Sequence, residues 1–144
     1  MRIAIITGEY PPMQGGVGAY TEILARELAT QGHEVFILTT PPAESGSTPG
    51  IAVSATMAGW GLGQLAALRR RINEIQPDVV NLQFQTAAFR MSPFVHFLPE
   101  LVAPVPVVTT FHDLRFPYLF PKAGPLRTWI VHRLARRSAR RHRH

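Results

Sequence analysis

A glycine-rich loop near the start of the chain has the residue types of an anion-binding site. The stretch EYPPMQGGVGAY (residues 9–20) follows a short apolar run, precedes a helical pattern, and contains Gly15, Gly16 and Gly18. Glycine lets the backbone approach a ligand closely, and the first N–H groups of a helix carry a partial positive charge. Such a loop between a strand and a helix predicts binding to a phosphate group or a sugar.

Two familiar phosphate-binding motifs fit this loop poorly. A dinucleotide site needs G-x-G-x-x-G in a tight turn, but Thr21 stands where the third glycine would be. A P-loop needs Gly-Lys-Ser/Thr, and the only lysine of the chain is Lys122. A nicotinamide-dependent oxidoreductase is therefore a disfavoured alternative. A purely structural turn is also less favoured than a phosphate or sugar site.

The pair His112–Asp113, after the last apolar run, is the second candidate for chemistry. A histidine at the end of a strand is a binding residue, a polar loop residue or a hydrogen-bonded core histidine, and its position alone leaves the odds of a functional role about even. Asp113 could orient the imidazole or cap the following turn. Glu9 could bind a sugar hydroxyl or lock the loop by accepting backbone N–H bonds, and the neighbouring prolines slightly favour the lock. His33, His96 and His132 have no partners at metal-ligand spacing, so we expect neither a metal site nor a cofactor.

Five short apolar runs predict strands, and helical patterns separate most of them. The strands are expected at residues 2–7, 33–40, 51–55, 78–84 and 105–113, the last including its exit loop. The first helix has Val17, Tyr20, Leu24 and Leu28 at helical spacing with Ile23 alongside, and Glu22 and Arg26 form a favourable pair on its polar side. Further helical patterns cover residues 62–75, an interrupted stretch at 92–101, and about 125–141.

The alternation of apolar strands with helices predicts a doubly wound α/β fold, a parallel sheet with helices on both faces. Ligands of such sheets bind outside the carboxyl ends of the strands, near the point where the strand order reverses. The loops after the first, fourth and fifth strands, at residues 8–18, 83–90 and 111–120, should therefore form the site.

The composition indicates a globular protein. The 144 residues are 46% apolar and 17% charged, enough for one domain with a core, and there is no cysteine. The absence of cysteine fits a reducing cytoplasm. The first apolar run is too short for a signal peptide, and no segment approaches the roughly 18 apolar residues that span a bilayer. We therefore expect a soluble, cytoplasmic protein.

The net charge of +6 comes from the end of the chain. Seven arginines and no acidic residue occupy positions 127–144, namely Arg127, Arg133, Arg136, Arg137, Arg140, Arg141 and Arg143. A solvated helix face is the simpler interpretation. The sharper alternative is peripheral contact with an anionic membrane, at the inner face of the cell membrane. Nucleic acid is not expected, because no aromatic residue follows Trp129 to stack on bases.

Three segments in order resemble family 4 glycosyltransferases of the GT-B fold. The first is GEYPPMQGGVGAYTEILARELATQGHEVFILTT, which is the most specific, and INEIQPDVVNLQF and VVTTFHD follow it. These transferases are retaining enzymes that use nucleotide sugars, and the resemblance covers most of residues 2–135. It implies a Rossmann-like, acceptor-side N-terminal domain over residues 1–126, with residues 127–144 as a basic helix and tail of the same domain.

The resemblance also implies roles for individual residues. Gly15 and Gly16 would approach the phosphates of a nucleotide-diphosphate sugar or the hydroxyl acceptor, with Gly18 opening the helix. His112 would hydrogen-bond the transferred sugar rather than abstract a proton. The second domain of this family carries paired glutamates. No acidic residue follows Asp113 in this sequence, so it departs from the family pattern. We therefore expect a truncated transferase, inactive alone, with a non-catalytic module that binds acceptor or membrane as the alternative.

Overall fold

A computed structural model describes residues 1–43 and 48–113 of the chain. The predicted helix and arginine run beyond residue 113, and with them the proposed boundary at residue 126, lie outside the described residues. The elements, in chain order, are β1 (Arg2–Thr7), α1 (Gly16–Thr30), β2 (Glu34–Leu38), β3 (Ile51–Ser54), α2 (Leu62–Ile75), β4 (Val79–Phe84), a 3₁₀ helix (Pro93–Phe97), α3 (Leu98–Leu101) and β5 (Val107–Phe111). Each predicted strand up to residue 113 is present.

The five strands form one parallel sheet in the order β3-β2-β1-β4-β5. This order places β1 and β4 side by side at the centre and reverses the direction of winding between them. Ile3 pairs with Val79 and Thr7 with Gln83, so the carboxyl ends of these two strands lie level. The predicted doubly wound α/β fold is confirmed.

Helices pack on both faces of the sheet, as expected for strands that are apolar on both sides. On one face α1 places Ala25 against Ile3, Ile5 and Ile37. On the other face α2 and α3 contribute to a larger cluster around Ile6, Leu82 and Phe89. The central strands β1 and β4 are almost completely buried, so the loops at their ends start from rigid positions.

The buried side of α1 differs in part from the predicted one, although Val17 is buried and Leu24 and Leu28 pack against the core as predicted. Val17, Gly18, Thr21 and Ala25 are buried, whereas Tyr20 is 45% exposed and Ile23 is 63% exposed. The prediction for Tyr20 and Ile23 was wrong because small residues let the helix lie close to the sheet with a different side down. The predicted pair is present, with Arg26 Nη2 2.7 Å from Glu22 Oε1.

The connection between β4 and β5 is irregular, as its four prolines and mixed pattern predict. Ser92 begins the 3₁₀ helix by accepting a hydrogen bond from the Phe94 N–H, and Pro93 occupies the first turn, where its missing N–H costs nothing. Val95, Leu98 and Val102 pack into the larger core cluster. Across residues 1–43 and 48–113, none of the helices has the length and apolar character needed to cross a membrane.

Candidate functional site

The loops after β1 and β4 meet at the carboxyl edge of the sheet. Thr7 pairs with Gln83, and Gln83 pairs in turn with Thr110 of β5. A Cβ atom added to Gly8 would lie 2.3 Å from the carbonyl oxygen of Ala88, so the two loops are in direct backbone contact. At the base of the predicted site, the loops after β1 and β4 are therefore closely packed against each other.

The first loop turns back on itself just after β1. The Thr7 hydroxyl donates a hydrogen bond of 2.8 Å to the Glu9 carbonyl, and the Met13 N–H donates one of 3.1 Å to the Tyr10 carbonyl. These bonds bring the Glu9 carboxylate beside the start of α1. A Cβ atom at Gly15 would lie 2.0 Å from Glu9 Oε2, so only glycine leaves room for the carboxylate in this position.

The three glycines of the loop have different surroundings. Gly15 is the residue before the first turn of α1, and it is extended rather than helical. Gly18 is buried, and its Cα faces the backbone of Glu9 and Tyr10, with an added Cβ at 3.4 Å from both. Nothing lies within 4 Å of the Cβ position of Gly16. The packing explains Gly15 and Gly18, while Gly16 borders open space at the helix start.

His112 lies beside this loop, immediately after β5. Its backbone N–H donates a 3.0 Å hydrogen bond to the Phe84 carbonyl, which extends the β4–β5 pairing by one residue. Its imidazole Nε2 lies 2.6 Å from Gln83 Oε1. The ring of Tyr20 stands edge-on to the imidazole, with the centroids 5.0 Å apart and an angle of 77° between the planes. Three elements, β4, β5 and α1, thus hold one side chain.

A network of side-chain amides, buried at Gln83 and partly exposed at Asn81, lies beside His112. Gln83 is fully buried, and its Nε2 donates to Asn81 Oδ1. Asn81 Nδ2 lies 3.3 Å from the Val108 carbonyl oxygen and 3.4 Å from Thr110 Oγ1. A buried amide without partners is costly, so this network stabilises one arrangement of the side chains.

The local electrostatics favour a neutral imidazole. Burial lowers the pKa of His112 below its ordinary value of 6.5, and the Glu9 carboxylate acts in the opposite direction. At neutral pH the imidazole is therefore mostly uncharged, and it can both donate and accept a hydrogen bond.

The structure brings together most of the candidate residues. Gly15, Gly16, Gly18 and Glu9 form one loop and helix start, and the Glu9 carboxylate is close enough to His112 to influence its pKa. Asp113 follows His112 and is partly exposed, and its role stays a prediction. Within residues 1–43 and 48–113, no group of three or more His, Cys, Asp or Glu side chains could hold a metal ion.

Two residues of the site, Gln83 and Tyr20, were not predicted to belong to it. The sequence pattern placed Gln83 at the start of a loop region and Tyr20 on the apolar side of α1. Gln83 had a signal, since Asn81 and Gln83 interrupt an apolar strand at every second position and so share one face of the sheet. Tyr20 had no such signal, because a tyrosine at helical spacing is more often part of a core.

No curated protein matches this chain. Among solved structures it is similar to the Bordetella bronchiseptica enzyme WbmG in complex with NAD, with a TM-score of 0.49 and 17% identity over 72% of this chain and 33% of that one. It is also similar to the Thermus thermophilus UDP-glucose 4-epimerase complex with NAD, with a TM-score of 0.46 and 16% identity over 70% of this chain and 33% of that one. The chain thus spans about a third of the length of either structure.

A family model for the glycosyl transferase 4-like domain matches residues 15–142, which is most of the chain. The match includes the helix start at Gly15 and Gly16, the buried Gln83, and His112. It agrees with the resemblance of the loop and strand motifs and with the parallel sheet of the structure. The chain belongs to the family of glycosyl transferase 4-like domains.

Proposed function

We propose that this chain is the acceptor-side, N-terminal domain of a retaining glycosyltransferase, which transfers a sugar from a nucleotide-diphosphate sugar to a hydroxyl acceptor. The observation that carries the proposal is the convergence of His112, Glu9 and the start of α1 at one edge of the sheet. Membership of the glycosyl transferase 4-like family gives this edge a sugar-binding context.

The start of α1 is the proposed contact for the donor diphosphate. The first N–H groups of a helix have no intrahelical acceptor and carry part of the positive end of the helix dipole. Gly15 has no side chain with which to cap them, and the space beside the Gly16 Cα is open. A phosphate oxygen could therefore approach the backbone at Gly16 without meeting a side chain.

His112 is the proposed contact for the transferred sugar. Its neutral imidazole suits hydrogen bonding to a sugar hydroxyl better than proton abstraction, because burial lowers its pKa. Glu9 has a double part in this proposal. Its carboxylate packs against Gly15 and so shapes the loop, and it also places negative charge near His112, where a sugar hydroxyl could donate to it.

Departure of the nucleotide diphosphate needs further groups. In the family that the sequence resembles, a second domain supplies them, and stabilisation of developing charge is usually a large part of catalysis. We propose that this chain acts together with such a domain and does not transfer sugar by itself.

The proposal is tested by joining the chain to the second domain of a related family 4 transferase. Donor turnover is measured with UDP-glucose and GDP-mannose as probes, for the joined protein and for the chain alone. Only the joined protein should turn over donor. His112→Ala should lower its kcat/KM about 10- to 100-fold, the effect of losing one or two hydrogen bonds in a buried site.

His33→Ala is the matched control. His33 precedes β2 at the opposite edge of the sheet, where its Nδ1 lies 3.4 Å from the terminal amine of Met1. This variant should retain full activity. Equal activity of the His112→Ala variant and the unmodified joined protein would contradict the role of His112. No donor turnover by a folded joined protein would contradict the proposed function.

A further inference from the structure

In the amide network beside His112, the donor and the acceptor of every hydrogen bond are determined. Asn81 and Gln83 are two residues apart on β4, so their side chains lie on the same face of the sheet, beside Thr110 of β5. The network starts at the backbone carbonyl of Val108, 3.3 Å from Asn81 Nδ2, and ends at the imidazole of His112. A carbonyl oxygen can only accept a hydrogen bond.

The carbonyl of Val108 therefore determines the orientation of each amide in the network in turn. The carbonyl of Val108 requires the NH₂ group of Asn81 to face it, so Asn81 Oδ1 faces Gln83. The NH₂ group of Gln83 therefore faces Asn81, and Gln83 Oε1 faces His112. Because this oxygen also only accepts, the imidazole must donate from Nε2. A flip of either amide would place two donors or two acceptors against each other.

We infer that Gln83 is a positioning residue, which holds the proton of the neutral His112 imidazole on Nε2 and thereby leaves Nδ1 as the hydrogen-bond acceptor for a ligand. The ligand group that such a nitrogen recognises is a hydrogen-bond donor, and a sugar hydroxyl is one. The assignment of that donor to a sugar rests on the proposed function, whereas the tautomer does not.

The surroundings of the ring support this role. The backbone hydrogen bond from His112 to Phe84 anchors the main chain beside Gln83, and the ring of Tyr20 packs edge-on against the imidazole. The part of the chain that the structure describes offers the imidazole no hydrogen bond other than the one to Gln83. Gln83 is fully buried, so water does not compete for Oε1.

Nitrogen-15 NMR of the histidine rings tests the inference on the full chain without any ligand. Spectra are recorded at about pH 8, where imidazoles with ordinary or lowered pKa values are neutral, and His112→Gln identifies the His112 signals. The wild-type chain should show Nε2 protonated, Nδ1 unprotonated, and a ring N–H that exchanges slowly with water. In Gln83→Leu the two nitrogen shifts should approach each other, and the N–H should exchange at least about tenfold faster.

Two further variants make the result specific. Gln83→Glu loses the NH₂ donor to Asn81 but keeps an acceptor oxygen opposite His112 Nε2. The proton should therefore stay on Nε2, and the new carboxylate should raise the pKa of His112, with Glu9 and Tyr20 still beside the ring. Gln85→Leu removes a glutamine two residues along, and it should leave the His112 signals as they are. These spectra stand apart from the donor-turnover assay, so failure of the proposed function would not alter them.

Three results would overturn the inference. One is a wild-type imidazole protonated on Nδ1. The second is a folded Gln83→Leu chain with the wild-type shifts and exchange rate. The third is a Gln83→Glu chain in which the proton no longer resides on Nε2, which decides the matter even if Gln83→Leu does not fold.

Discussion

At the scale of single residues, the glycines of the first loop should tolerate alanine to different degrees. An alanine Cβ at Gly8 would meet the Ala88 carbonyl oxygen at 2.3 Å, and this backbone atom can move only with its loop. At Gly15 it would meet Glu9 Oε2 at 2.0 Å, but that is the end of a flexible side chain. At Gly16 it would meet nothing within 4 Å.

We therefore expect a graded series in urea denaturation. Gly8→Ala should lower the free energy of unfolding by about 2–3 kcal/mol because the loop must shift. Gly15→Ala should lower it by about 1 kcal/mol because only Glu9 must move. Gly16→Ala should leave it unchanged or raise it by up to about 1 kcal/mol, since alanine restricts the unfolded chain. A Gly16→Ala variant as unstable as Gly8→Ala would contradict the packing described for this loop.

The lowered pKa of His96 should make the free energy of unfolding depend on pH. Burial lowers the pKa of His96 from 6.5 to about 4, so the unfolded chain binds a proton in this range that the folded chain does not. The stabilisation is complete above about pH 6.5 and is lost as the pH falls toward about 4. The loss should reach about 3 kcal/mol at most, and burial of His112 adds to it in the same direction.

The measurement is the free energy of unfolding between about pH 4 and pH 7. His96→Phe keeps a ring against Phe84, whose centroid lies 5.2 Å from that of His96, and it should remove most of the pH dependence. A slope that survives in His96→Phe would show that other groups cause it.

At the scale of elements, the buried side of α1 can be tested directly. Ala25 is fully buried against the sheet, whereas Ile23, two residues earlier, is 63% exposed. Ala25→Leu should lower the free energy of unfolding by about 1–3 kcal/mol through overpacking. Ile23→Gln should change it by less than about 0.5 kcal/mol. The reverse order would mean that α1 lies on the side that its apolar residues suggested.

The helix α1 also shows which parts of the fold can be predicted from the sequence and which cannot. Strands such as Arg2–Thr7 were predictable because a short, β-branched apolar run has few other uses in a globular protein. The side of α1 was predicted only in part, because Gly18, Thr21 and Ala25 are buried for their small size, and a search for large apolar residues passes over them. Where a helix packs closely on a sheet, the residues between them can be small as well as large and apolar.

The site was predictable in part for a related reason. The loop glycines and His112 could be assigned to one edge because parallel strands place their carboxyl ends together. The contacts of Gln83 with Asn81 and His112 join residues up to 29 positions apart in sequence, and they depend on the register of β4 with β5. No local pattern contains that register, so these partners become visible only in the structure.

At the scale of the whole molecule, the two edges of the sheet differ in character. The carboxyl edge has open space at Gly16 and the His112 ring held from three elements. At the amino edge Arg2 and Asp78 are joined by two hydrogen bonds, one of 2.8 Å from the Asp78 N–H to the Arg2 carbonyl and one of 2.7 Å from the Arg2 N–H to the Asp78 carboxylate. Within the part of the chain that the structure describes, we therefore expect the ligand at the carboxyl edge.

The most direct test of this account is an amide-shift map of the full chain titrated with UDP-glucose and GDP-mannose as probes. We predict saturable shifts for at least one of them at Gly15, Gly16 and His112, weakened by His112→Ala. The amino-edge amides of Arg2, His33 and Asp78 should not move and serve as the internal control. Saturable shifts confined to the amino edge, or no shift at the carboxyl edge with either probe, would contradict the central claim that this edge binds a nucleotide sugar.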